Sequence, residues 1–143
     1  MDQAIKVAEQ AQDLSFFEAR GFSMWPFLKE RDKLLVKKTP LSRLEVGDLV
    51  LHRSNSSLVC HRLVRKSKSN GQCSIYTRGD ASWSQPEAIN QERVLGKVIG
   101  VMKENRIAYV DGVGQRLINR IILLILPLWR LVIKAYQFLF VRK

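Results

Sequence analysis

Between residues 33 and about 110, apolar and polar positions alternate in short bursts: KLLVK at 33–37, DLVLHR at 48–53, SLVCHRLVR at 57–65, CSIYTR at 73–78, RVLGKVIGVM at 93–102 and RIAYVD at 106–111. Each burst has the length and β-branched character of a strand with one face buried. Turn chemistry separates them: Ser54-Asn55-Ser56, the Asn70-Gly71 hairpin signal, the loop from Gly79 to Pro86, and Glu104-Asn105. The pattern predicts a mainly β domain over residues 21–111.

The two ends have a different period. Ala4, Val7, Ala8, Ala11 and Leu14 recur at helical spacing, predicting a short amphipathic helix within residues 1–20 that leans on a neighbour through a weak apolar face. Residues 112–143 carry RLINRIILLILPLWRLVIKAYQFLFVRK, whose one break is Pro127, so they predict a single long helix kinked there. Arg116, Arg120, Arg130, Lys134 and Gln137 fall at steps of three, four or their multiples and form a narrow basic stripe on an apolar cylinder.

Charge sharpens the reading of that helix. The chain of 143 residues has 24 Lys and Arg against 13 Asp and Glu, a net +11, and no acidic residue follows Asp111. The uncharged run from Ile121 to Trp129 is nine residues long, against about 20 for a span. Extending it would put Arg130 and Lys134 near mid-bilayer, at about 3 kcal/mol each. Lying flat on an anionic membrane, as a peripheral or C-terminal attachment through residues 116–143, costs less. The competing expectation is packing on the β domain or on a second copy.

Nucleic acid is the poorer partner for this charge, because the aromatics sit in GFSMWPF and in the tail rather than among the Lys and Arg of one sheet face. The N-terminal residues have neither the basic start nor the apolar run of a secretory leader. Two cysteines, Cys60 and Cys73, imply no disulfide framework, though one bridge is open to them. Two histidines and two cysteines at these spacings match no metal-ligand pattern, and no phosphate-binding glycine loop is present, so no cofactor is expected.

Two candidates for chemistry remain. Ser23, in GFSMWPFL, is either a turn residue bonding its own backbone or a nucleophile. His52 and His61 each precede an arginine on a predicted strand. Alternation puts His61 with Val59 and Leu63, and Cys60 with Arg62 on the other face, which argues against a Cys60–His61 pair. A half-apolar setting would keep His61 neutral and able to accept a proton.

The ordered set GFSMWP, VGDLVLHR, VCHRLV, TRGDAS and VLGKVIG, over about residues 20–102, resembles the signal peptidase I superfamily in its archaeal and endoplasmic-reticulum branch. The resemblance implies a signal-peptidase-like β-fold and a serine endopeptidase, working at a membrane, that removes a leader or signal segment from a polypeptide. It aligns Ser23 with the nucleophile, His61 with the general base and Asp80 with the acidic residue that either orients the imidazole or holds its loop. His52 falls where the family has an apolar or aromatic residue.

Gly21 stands where bacterial relatives place a hydroxyl, which leaves the oxyanion to the Ser23 N–H and to other backbone donors that glycine makes accessible. Met24 and Phe22 would shield the pair from water or line substrate pockets, and Pro26 would fix the turn. Glu87 is the nearest candidate for the family's second acidic position. The substrate would lie as an added strand, with small residues at the first and third positions before the cut. Two alternatives stand beside this reading. One is a non-enzymatic basic β module that binds anionic membrane or nucleic acid. The other is a self-cleaving repressor-type relative, for which about 20 residues before Ser23 leave no room for a helix-turn-helix domain.

Overall fold

The computed structural model describes residues 13–140 apart from 56, 70, 71, 104, 105 and 112, and at some positions within strands and helix the backbone alone. Its strands are β1 (Leu14–Glu18), β2 (Lys33–Lys37), β3 (Leu49–Ser54), β4 (Ser57–Ser69), β5 (Gln72–Arg78), β6 (Glu87–Ile89), β7 (Val94–Lys103) and β8 (Arg106–Tyr109), followed by helix α1 (Val113–Phe140). The fold is mainly β, as the alternation predicts. All pairings are antiparallel, in the order β1-β2-β7-β3-β4-β5-β6, with β8 also on β7.

Register breaks at Leu35/Val36, Leu51/His52 and Leu63/Arg65 interrupt three of the ladders. Such bulges add local twist, and the sheet accordingly curls into half a barrel. β4 exchanges partners along its length. Ser57–Arg62 pairs with β3, in the register Val50↔His61 and Leu51↔Cys60. From Arg62 onward its residues pair with β5.

Alternation along β3 feeds two separate cores. Leu49 and Leu51 join Met24, Leu28, Leu34 and Val98 on one side, while Val50 joins Leu44, Leu63, Ile75 and Ile89 on the other. The chain between β1 and β2 thus contributes Met24 and Leu28 to the first core, which fixes the turn around Ser23 by burial.

The N-terminal expectation needs correction. Residues 14–18, placed by spacing in a helix, form β1, with Phe16 opposite Leu35 and Phe17 opposite Leu34. The outer edge of β2 offers a ladder, and Phe17 packs on the first core from it; tertiary pairing outweighs a weak helical stripe. Residues 1–12, where most of that stripe lies, are outside the described residues. α1 runs through Pro127 as one element, with Asn119 and Leu126 buried. Among the described residues, no helix is long and apolar enough to cross a membrane.

One buried cation ties the two ends of the β domain together. Lys97, on β7, is 7% exposed and lies 2.9 Å from Asp48, at the entry to β3, and 2.7 Å from Asp111, which precedes α1. Burial opposes its charge, but the bonds to both carboxylates raise its pKa. Replacing it would leave Asp48 charged and desolvated. Lys97→Met is therefore expected to cost about 3 kcal/mol, read from the urea midpoint; a change below about 0.5 kcal/mol, the size of an ordinary surface substitution, would show that the pairs contribute nothing.

Candidate active site

The segment from Gly21 to Leu28 is a compact turn. Gly21 adopts a φ of +79°, which an L side chain rarely takes, and the Trp25–Pro26 peptide is cis. Phe22 C=O accepts from Trp25 N–H at 3.1 Å, and Met24 C=O accepts from Phe27 and Leu28 N–H at 3.0 and 3.1 Å. Ser23 is half-buried, and its N–H has no partner among the described residues. Met24 is buried in the core, whereas Phe22 is 66% exposed. Of the two residues expected to shield the site, only Met24 is placed to do so.

The loop after β5 fastens this turn. Ala81 N–H donates to Ser23 C=O at 2.8 Å. A Cβ at Gly79 would stand 2.6 Å from the Ser23 carbonyl oxygen and 2.9 Å from its Cβ. Only glycine permits that approach. The β4–β5 ladder ends at Arg62↔Arg78, so Ser23 packs on Gly79, the residue just past that end. No hydrogen bond joins Ser23 to His61 among the described residues.

His61 is half-buried, and its Nδ1 is buried with no hydrogen-bond partner. Its ring lies 5.6 Å from that of His52, tilted by 60°. Burial first, then the neighbouring His52, lower its pKa to about 4 against an opposing pull from Glu87. The imidazole is therefore neutral at pH 7. His52 is fully buried, with Nδ1 3.3 Å from Arg53 C=O and Nε2 3.2 Å from Thr77 Oγ1. A carbonyl only accepts, so Nδ1 carries the proton and Nε2 receives the Thr77 hydroxyl. Burial lowers its pKa as well.

The sequence left two parts open for Asp80, and the geometry gives it the holding part. Its carboxylate receives Arg62 Nε at 2.9 Å and Nη2 at 2.6 Å, both side chains being buried. Arg62 lies on the face away from His61, and Asp80 supplies no bond to His61 Nδ1. Arg62 Nη1 also donates to Gly47 C=O at 2.9 Å and to Asn119 Oδ1 at 3.4 Å, and its guanidinium lies 5.4 Å from the Phe27 ring centroid. Glu87 binds Arg93 and Ser54. Against the push of burial, these bonds hold its carboxyl below the usual range.

An open cleft runs beside Ser23. Phe17, Glu18 and Ala19 form one side, Leu58 and Cys60 the other, and Met24, Leu28, Leu34 and Leu51 the floor. Reading the residues in isolation misses Cys60 as a lining group. Its thiol is no nucleophile, because burial above all raises its pKa to about 12. The signal was present in strand alternation, which sets Cys60 with Leu51 opposite it, but only the fold brings Ser23 to that face.

Two measurements test this geometry. Gly79→Ala should push the Ser23 turn aside and cost about 1–3 kcal/mol in chemical denaturation; an unchanged midpoint would refute the close approach. The unfolded chain protonates its histidines near 6.5, while folded His61 resists until about 4. Between those values the unfolded state binds more protons, so stability is complete above about pH 6.5 and falls as pH drops toward 4. His61→Gln should flatten that decline, as read by urea midpoints across the range. No protein-family model matches the chain, and comparison with curated proteins finds no match.

Proposed function

We propose that the protein is a serine endopeptidase of the signal peptidase type, which cuts a leader segment from a polypeptide held as an extended strand. The observation that carries this reading is the cleft. It lies between β1, an outermost strand whose sole partner is β2, and the Ser57–His61 half of β4, which pairs only with β3 among the described residues. Among the described residues neither of these edges pairs with a further strand, and the cleft between them has an apolar floor and is lined by Ser23. A peptide strand added there satisfies both edges, while its side chains meet Met24, Leu34 and Leu51.

In this mechanism Ser23 Oγ attacks the carbonyl carbon of the scissile peptide as His61 takes the hydroxyl proton. The Ser23 N–H donates to the developing oxyanion. Collapse of the tetrahedral intermediate breaks the C–N bond, and His61 returns the proton to the leaving amine. Water, deprotonated by His61, then hydrolyses the acyl-enzyme and regenerates Ser23. The low pKa of His61 supports this part, since the base is unprotonated at neutral pH. Asp80 serves through Arg62 by holding the Gly79–Ala81 loop against Ser23. The missing Ser23–His61 bond favours a second reading, a module that captures an extended segment without cutting it.

The test is mass spectrometry of a leader peptide with small residues at the first and third positions before the cut. Ser23→Ala and His61→Ala should each lower kcat/KM by about 1000-fold. His52→Gln should keep most of the activity and should shift the acid limb of the pH profile upward, because the His52 ring helps lower the His61 pKa to about 4. Full cleavage by Ser23→Ala would overturn the peptidase. Binding of the peptide without cleavage by the wild type would select the capture module.

A further inference from the structure

α1 commits one strip to the β domain. Asn119 and Leu126 are buried, and Ile122 and Leu126 share an apolar recess with Pro26 and Phe27 of the Ser23 turn. The other side is greasy and uncovered: Ile121, Leu124, Ile125, Leu128, Leu131 and Val132 are 46–77% exposed. Their steps of three and four make one continuous stripe along the helix. Lys134 lies at the flank, with its Nζ 5.8 Å from the centroid of Trp83, a ring that is itself 50% exposed.

We propose that this stripe docks on an anionic lipid surface, with α1 lying in the plane of the interface. The charge of the segment selects the occupant. Residues 112–143 contain six Lys and Arg and no Asp or Glu, and Lys134 lies at the flank of the stripe. A second copy docked stripe to stripe would gather the cations of both chains with no carboxylate from either segment to offset them. A bilayer rich in anionic headgroups supplies an apolar layer for the stripe and counter-charge for its flank. Nucleic acid would meet the charge and leave the stripe in water. The Trp83 ring beside Lys134 has the apolar body and polar edge favoured at headgroup depth. Among the described residues, no helix is long and apolar enough to cross a membrane.

Flotation of the full chain with vesicles tests the proposal, and it does not depend on peptide cleavage: Ser23→Ala should float like the wild type. Vesicles with about a third phosphatidylserine should carry the protein up, and pure phosphatidylcholine much less. Binding should weaken by about tenfold or more in Leu124→Glu/Leu128→Glu. Both positions are exposed, and an unchanged circular dichroism spectrum and thermal midpoint will certify the fold. Lys134→Glu should weaken binding and lower its sensitivity to salt. Failure to float on anionic vesicles overturns the proposal. So does flotation that Leu124→Glu/Leu128→Glu leaves unchanged, or a dimer in lipid-free solution that this double variant dissociates while vesicles go unbound.

Discussion

Arg62 is 1% exposed, and four stretches distant in sequence close around its guanidinium. It meets Asp80 in the loop after β5, the Gly47 carbonyl before β3, Asn119 on α1 and the Phe27 ring in the Ser23 turn. Desolvating a cation so completely is tolerable only with several directed acceptors, and a planar fork can meet a carboxylate and two carbonyl oxygens at once where an ammonium cannot. The geometry at Ser23 descends from this contact. Asp80 is held by Arg62, the loop of Asp80 is held to Ser23 by Ala81 N–H, and Gly79 lets the two backbones touch.

Arg62 is also the residue at which β4 exchanges β3 for β5. A strand that serves two neighbours in succession must leave one edge vacant on each half. On the later half, Lys66 reaches across to the Ser42 and Leu44 carbonyls. On the earlier half the vacancy faces β1, and the cleft lies there. The bulge at Leu63/Arg65 turns the later half away, and the segregation of Val50 from Leu49 and Leu51 gives each half its own core. The curl and the cleft therefore share one origin.

Six of the eight strands were legible as alternation bounded by turn residues. β1 was not, because the alanine spacing before it carries a helical period and its strand identity comes from the β2 edge. β6 is three residues long, too short to show a period. The facing of His61 and Arg62 followed from alternation. Their partners did not, since the Arg62–Asp80 bond spans 18 residues and needs the β4–β5 register. The contact of His52 with His61 could have been found by folding the hairpin about Ser54–Ser57, which sets Val50 opposite His61 and His52 opposite Val59. Where the Gly21–Leu28 turn lands depends on burial of Met24 and Leu28, which no local spacing announces.

If a polypeptide adds to β4 as proposed, the edge left unpaired among the described residues has a consequence for discrimination. A folded protein arrives with its own backbone groups already paired and has nothing to exchange with Ser57–His61. A nascent, unfolded or tethered stretch arrives with those groups solvated and loses little by moving them into the ladder. Recognition of this kind sorts partners by conformational state before side-chain identity enters. Under the proposed function, the floor of Met24, Leu34 and Leu51 acts only as a secondary filter on size.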